Sequence, residues 1–447
     1  MSVLHLGRFD SEPLWRAPER AQLPGATDPR TAAIVDRMDE MLFAVGEPSG
    51  HKLMTRCPMN PAHVDYLNDA GFRFTSHQPP LPHDPLSSST CGLLAAGVPD
   101  APVAAFLEGV TGCTPYSILP TTRAFVERYG LPQPLPALDA VKRVNSKVFS
   151  HRIARETLDE CDGHVIDSAQ ALETVGTRLL ANTPILLKDD LGVSGKGNLL
   201  VDSPRLLARI ARHLERQERQ GKETWLVLEP LLNKALDFSC QIEIGADGAV
   251  SILSVQQMAN KGFAFSSITT AEPALWDRLD RDGYFERAQR IAARLFEEGY
   301  FGPVCIDSMQ LVDGRVRALV EVNARQSMGY MNHRLDRHLA PLGVRGELRL
   351  FSLGVPRHFD YEQLLTALAE RGLLFTQDHP EGLLPLSANT LTANMRSATI
   401  QASDEQTLCP GRLYVSNVAA DAQQRRAIRA RVVAVFSDLG MRVFDAP

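Results

Sequence analysis

From Ala137 onward, apolar and polar positions alternate in recognisable units. The stretch KRVNSKVFSHRIARETLDE spaces Val148, Ile153 and Leu158 along one face, which predicts a helix starting near Ser146 with Asn145 or Ser146 as its N-cap. PILLK, ending at Lys188, reads as a strand, DDLGVSGKG (Asp189 to Gly197) as a polar glycine-rich loop, and Asn198 to Val201 as a second strand. The loop therefore joins strand to strand. Ser203 and Pro204 open a helix whose Leu206, Leu207, Ile210 and Leu214 share a face, leaving five arginines on its solvated side. Trp225 to Leu228 is another strand, and Phe238, Cys240, Ile242 and Ile244 alternate toward a turn at Gly245 to Gly248 that returns through Val250 to Val255. After a helix over Tyr284 to Glu298, Val304 to Val312 and Val316 to Val322 form a second hairpin around Asp313-Gly314.

The flanks are less regular. Residues 1–30 carry Pro13, Pro18, Pro24 and Pro29 among charges and predict an extended arm. Residues 31–140 begin with a helical pattern (Thr31 to Phe43) and continue as short α/β pieces interrupted by Pro and Gly. From 343 to 447, a helix (Tyr361 to Arg371), a strand pair and a final helix-strand unit suffice for a small α/β domain. Composition narrows the class. The 447 residues, 44% hydrophobic and 22% charged, exclude disorder, collagen and coiled coil. A net charge of −6 gives no global reason to bind nucleic acid or an anionic membrane, and no window approaches a membrane span or a secretory leader. Seven scattered cysteines, none paired as C-x-x-C and none in a nucleophile motif, fit a reduced, cytoplasmic protein. Small-molecule chemistry is the class left.

Two segments carry that chemistry. The loop at 189–197 is neither a P-loop, since Asp190 stands where the first Gly is needed and Gly197 follows Lys196, nor a dinucleotide fingerprint, since it leads into a strand. A flexible flap remains, whose glycines let backbone N–H groups approach anionic oxygens, with Lys188 at its root and Lys196 at its tip. A plain hairpin turn is the alternative. In the second hairpin, Asp307 faces a strand carrying Glu321, Asn323 and Arg325, which period 2 puts on one face. A two-residue loop would set Asp307 opposite Val320, whereas a three-residue loop, Asp313-Gly314-Arg315, would set it across from Glu321. In the second register two carboxylates and an amide oxygen form a hard-oxygen cradle suited to Mg²⁺ holding phosphates, rather than a solvated face with an ion pair to Arg325.

The order Lys147, Lys188, glycine flap, Glu229, Asp307, Glu321-x-Asn323-x-Arg325 resembles the ATP-grasp superfamily of carboxylate ligases. The resemblance covers roughly 147–325 and implies an α/β architecture of the α+β sandwich type, two α+β subdomains gripping ATP over 141–342. The segments DRMDEMLFAVGEPSGHKLM and NPAHVDYLNDAGFRF resemble the preceding domain of some amino-acid and peptide ligases of secondary metabolism, placing such a domain at 31–140. By resemblance, Lys147 and Lys188 contact nucleotide phosphates; Ser194, Gly195, Lys196 and Gly197 form the closing flap; Glu229 to Leu232 bracket adenine; and Asp237 takes the ribose hydroxyls. Asp307, Glu321 and Asn323 map to the ligands of two Mg²⁺ ions and Arg325 to the guanidinium that steadies the transferred phosphoryl. Lys261 sits where some relatives place another phosphate-contacting lysine. Cys305 departs from the D-alanine-ligase pattern, which has arginine there, and this moves the transition-state cation to Arg325 without implying a biotin-carboxylase role.

These parts imply an ADP-forming ligase that activates an amino acid or short peptide as an acyl phosphate and couples it to an amine. Alternatives are loading of an amino acid onto a carrier-protein thiol, for which the arginine-rich helix 205–219 is the candidate docking face, and a nucleotide-binding module without turnover. Arg325, Gln326, Ser327 and Met328 are expected to border the acyl site, and the Met258 to Phe265 segment, Gln257 included, to close over it. His333 and His338 have no metal-ligand spacing. The small-molecule substrates come with no nucleic-acid or membrane partner, and a homodimer is allowed.

Overall fold

The structure is a computed structural model that describes residues 2–25, 28–47, 49–79, 90–95, 97, 100–132, 134–160, 162–192, 197–262, 264–395 and 408–444. Three sheets are built from those residues. The first is parallel, in the order β3-β2-β1-β4, from β1 (Ser2–Leu6), β2 (His51–Met54), β3 (Phe74–His77) and β4 (Val110–Pro115). The second is antiparallel, β5-β8-β6-β7, from β5 (His164–Ile166), β6 (Ile185–Asp189), β7 (Asn198–Val201) and β8 (Leu226–Pro230). Its apolar face is closed by the helix Pro204–Glu218, whose Leu207, Ile210 and Leu214 are buried as the helical period predicts.

The third sheet runs β13-β12-β9-β10-β11-β14-β16-β15. Its members are β9 (Lys234–Ile244), β10 (Val250–Lys261), β11 (Ala264–Thr270), β12 (Gly302–Leu311), β13 (Val316–Asn323), β14 (Arg345–Val355), β15 (Gly382–Pro385) and β16 (Cys409–Ala419), with β17 (Arg442–Val443) on β14. The helices Lys147–Leu158 and Tyr284–Glu297 cover one face of its first half, burying Ile153, Ala288, Ile291 and Leu295 against Ile242 and Ile306. Both helices fall where the periodicity puts them, and Ser146 caps the first through its hydroxyl, which accepts from Phe149 N.

Three expectations are corrected. Residues 1–30 are not an arm apart from the folded region, because Ser2–Leu6 is an inner strand of the parallel sheet. The rest of that segment is a strap. Trp15 Nε1 donates to Ile118 O (2.8 Å), Ala21 N to Glu223 O (2.9 Å), and Ala21 and Leu23 enter the apolar core of the second sheet. The chain beyond 343 does not break away, since β14 pairs with β11 from Ser267/Arg349 to Thr269/Glu347 and so continues the third sheet. Residues 31–140 do keep an interior with β1, where Leu94, Val103 and Phe125 pack with Leu4 and Leu6, while Met41, Leu42 and Phe43 join a second apolar core with Leu364, Leu383 and Val415. The helix expected over Thr31 to Phe43 divides into Pro29–Val35, capped by Asp28, and a 3₁₀ segment Met38–Val45. All eight residues of the latter are buried, so no amphipathic stripe holds it in one α-helix.

Candidate active site

Lys147 begins the helix that Ser146 caps, and burial of that helix against β13 aims its Nζ at Glu321 Oε1 (2.8 Å) and Gly192 O (3.0 Å). Lys188, next to last in β6, pairs with Glu229 Oε2 across the sheet on β8 (2.7 Å), both largely out of water. Burial opposes the charge on Glu229, but the ammonium beside it outweighs that and holds the carboxyl below its ordinary range. Between these lysines the flap is pinched at its root. Asp189 N donates to Gly197 O (2.7 Å), and a Cβ on Gly192 would stand 3.0 Å from Gly197 Cα, so both positions need the missing side chain. Ser194, Gly195 and Lys196 lie outside the described residues.

The second hairpin brings Asp307 directly across from Glu321 and Cys305 across from Asn323. The turn itself does not set this register. Leu311 N bonds to Arg315 O and Gly314 N to Leu311 O, so the loop is Val312 to Gly314, with Gly314 at φ +89°. Met309 then faces Arg317, and between that pair and Asp307/Glu321 β12 advances two residues while β13 advances four. A bulge in β13 absorbs the surplus, and the Glu160 carboxylate holds it open. It accepts from Ala318 N with both oxygens (3.0 Å each) and from Leu319 N (3.3 Å), while Ser308 Oγ donates to Ala318 O (2.8 Å).

Burial and the facing Glu321 carboxylate push Asp307 up to about 7. Asn323 Nδ2 donates to Asp307 Oδ2 (3.0 Å). Two carboxylates held together with an amide are a hard-oxygen donor set whose mutual repulsion a divalent cation relieves, so these residues fit Mg²⁺. Arg325 is buried and fully engaged: Nε and Nη2 donate to Glu12 Oε1 (3.1 and 2.7 Å), Nη2 also to Asn323 Oδ1 (3.0 Å), and Nη1 to Tyr116 OH (3.3 Å) and Gln326 O (3.1 Å). Burial disfavours its charge, yet Glu12 keeps the guanidinium protonated above its ordinary range.

One cavity of about 370 Å³ gathers these groups. Lys147, Lys188, Glu229, Leu232, Asp237, Asp307, Glu321, Asn323, Arg325, Ser327 and Met328 all line it. Asp237 is held by Lys234 and by Asn260 Nδ2 (2.9 Å). Four of the expected residues that are described do not line it, Gly197 at the flap's root among them. Gln257 alternates with Met258, which does, and so points to the other face of β10. Gln326 turns inward, 1% exposed, its backbone N bonded to Tyr116 O (3.0 Å). Lys261 is exposed at the end of β10. Conversely, Glu12, Tyr116, Glu160 and Arg412 reach the site or its supports from elements remote in the chain, and no local motif marks them. The helix Pro204–Glu218 turns its arginines to solvent. Among the described residues no helix is long and apolar enough to cross a membrane.

No family model matches the chain, and no curated protein matches it in sequence. Solved structures do match in fold. An L-amino acid ligase from Bacillus licheniformis superposes with a TM-score of 0.55 at 13% identity, covering 100% of this chain and 99% of its own. N5-carboxyaminoimidazole ribonucleotide synthetase from Thermus thermophilus gives 0.52 at 15% identity, covering 92% and 98%. The Staphylococcus aureus N5-carboxyaminoimidazole synthetase, solved with ADP, gives 0.51 at 10%, covering 96% of each. The likeness spans nearly the whole of each chain. The mixed α/β fold is the ATP-grasp fold that the motif order implied.

Proposed function

We propose that this ATP-grasp chain is an ADP-forming carboxylate–amine ligase. The observation that carries the reading is the facing pair Asp307 and Glu321, set beside Asn323 and Arg325 in the same cavity as Lys147 and Lys188. ATP lies with adenine against the 229–232 segment and Leu186, its ribose toward Asp237, and its phosphates between Lys147, Lys188 and the flap. Asp307, Glu321 and Asn323 would hold Mg²⁺, two ions being the expected number, and the metal would supply positive charge against the phosphate oxygens.

A carboxylate is a poor acyl donor because its leaving group would be oxide. Its oxygen attacks the γ-phosphorus, the bond from that phosphorus to the ADP oxygen breaks, and an acyl phosphate results. The protein's part is position and charge. Lys147 and Lys188 exchange their carboxylate partners for phosphate oxygens, and Arg325 exchanges Glu12 for the transferring phosphoryl, in a site already shielded from bulk water. An amine then attacks the acyl carbon and inorganic phosphate leaves. The flap at 189–197, hinged at its pinched root, excludes water that would otherwise hydrolyse the intermediate. The acyl donor proposed is an amino acid or short peptide.

The test is incubation with MgATP, pooled amino acids and hydroxylamine, reading nucleotides and hydroxamates by mass spectrometry. ADP with a specific hydroxamate is expected; AMP would overturn phosphoryl transfer in favour of adenylation. Glu321→Gln should abolish ADP formation with the fold intact, and retained turnover would remove Glu321 from the metal site.

A further inference from the structure

We propose that the end of the cavity beyond Arg325 is a subsite for the amine substrate, and that this substrate is an α-amino acid with a bulky apolar side chain whose free carboxylate pairs with Arg412. The inference rests on the ligase reading. It begins with the charges lining the cavity. Lys147 is paired with Glu321, Lys188 with Glu229, Lys234 with Asp237 and Arg325 with Glu12. Arg412, on β16, also lines the cavity and is half-buried. Among the described residues it has the Tyr414 hydroxyl as its side-chain partner and no carboxylate. A half-buried guanidinium whose side-chain partner among the described residues is a phenol is a receptor for an anion, and a planar carboxylate matches its fork.

The surroundings of Arg412 differ from the nucleotide end. Phe9, Met38, Phe265, Ile268, Met328 and Tyr414 line this part of the wall, drawn from all three portions of the chain. Phosphates and ribose have no use for such a surface, whereas burying an aliphatic or aromatic side chain there contributes about 1.5–3 kcal/mol. The subsite is also contiguous with the reacting end. Tyr116 OH meets Arg325 Nη1 (3.3 Å), Phe9 stacks on the Tyr116 ring (4.0 Å between centroids), and Tyr414 OH reaches Met38 Sδ (3.5 Å). An amino acid anchored by its carboxylate at Arg412 and by its side chain on this wall presents its amine toward Arg325, where the acyl phosphate forms.

The coupling step balances without another reactant. The amine nitrogen attacks the acyl carbon, the C–N bond forms as the C–O bond to phosphate breaks, and phosphate leaves with that electron pair. Of the two protons the ammonium form gives up, one ends on phosphate and one in water. The carboxylate at Arg412 stays unactivated, which distinguishes acceptor from donor.

The test is calorimetric titration of the full chain, in the presence of MgADP, with L-leucine, L-leucinamide and glycine. L-Leucine is expected to bind at least about tenfold more tightly than either of the others, one lacking the carboxylate and the other the side chain. Arg412→Met should weaken leucine to the level of leucinamide and Arg412→Lys should recover part of the loss, with MgADP affinity reporting that each variant is folded. Equal affinity for leucine and leucinamide, no leucine binding, or an Arg412→Met change of less than twofold would each overturn the subsite. ADP formation with hydroxylamine judges the ligase reading separately. A chain that makes ADP but ignores Arg412 loses only this inference, and one that holds leucine through Arg412 without making ADP loses the ligase reading and with it the acceptor role, keeping only an amino-acid site.

Discussion

Glu160 lies far in sequence from the strand it supports, and its replacement tests whether the bulge in β13 sets the metal cradle. Its two oxygens take the amides of Ala318 and Leu319, residues that are 0% and 2% exposed, and they also lie 3.4 Å from Arg287 Nη1 and 3.7 Å from Arg317 Nε. Water cannot replace the carboxylate at amides so enclosed. Glu160→Ala therefore leaves two buried N–H groups without acceptors, at about 1–3 kcal/mol each, for a total of about 2–6 kcal/mol. Glu160→Gln keeps one carbonyl oxygen and should lose about half of that. The effect on chemistry should exceed the effect on stability. If the bulge relaxes, β13 slides by its two surplus residues toward the register of its turn, which leaves Glu321 on the same face but carries it from Asp307 to a place across from Cys305. Urea denaturation of both variants, paired with MgATP-dependent ADP formation under conditions where each is folded, separates the two effects. Turnover should fall by at least about tenfold, equivalent to 1.4 kcal/mol in the barrier. Glu160→Ala with stability within about 0.5 kcal/mol of the parent and undiminished turnover would refute the argument.

Two further outcomes follow from buried charge. Lys188→Met strands the Glu229 carboxylate and should cost about 3–5 kcal/mol by denaturation, whereas Lys188→Met with Glu229→Leu should recover most of that, and neither should form ADP; a single variant as stable as the parent would count against the pairing. His5, His51 and His63 are held neutral by burial, at about 3, about 4 and about 4. An unfolded histidine takes up its proton near pH 6.5, so the stability they contribute is complete above that pH and is lost as pH falls toward the folded values. Asp39, Glu40, Glu243 and Asp307, raised by burial to about 7, 8, 7 and 7, act in the opposite sense, so the readout is the difference between variants: His63→Gln should lower the slope of stability against pH by about 1.4 kcal/mol per pH unit between roughly pH 6 and 4, measured by urea denaturation, and a slope equal to the parent's would sink the account.

The middle of the chain was legible because its chemistry and its periodicity coincide. Val148, Ile153 and Leu158 mark a helix, and the lysine that opens it sits beside its capping serine; Glu321, Asn323 and Arg325 show their shared face by spacing alone. Asp307 was placed across from Glu321 for an incomplete reason, since turn residues report loop length but not a bulge held from 158 residues away by Glu160. Ser2–Leu6 was missed because a five-residue strand buried between parallel neighbours has neither alternation nor length to distinguish it from a loop. Arg412 looks like any surface arginine on an alternating strand. Its place in the cavity depends on β14 and β16 extending the sheet that carries Asp307 and Glu321, a long-range pairing that no local pattern encodes.

The strap from Glu12 to Leu23 has a consequence for how the molecule reaches its final form. Its partners are Arg325, 313 residues later, and Asp189, which Arg16 Nη2 meets at 2.8 Å, 173 residues later. At ribosomal speeds Arg325 is made roughly 15–60 s after Glu12, an interval long compared with most local folding events. Ala21 and Leu23 wait for a core whose last member is Leu228, and Trp15 for one that runs to Ala324, although each is at most 9% exposed at the end. A segment made early is thus among the last to be seated, and its seating brings Glu12 to Arg325, the guanidinium proposed to steady the transferred phosphoryl.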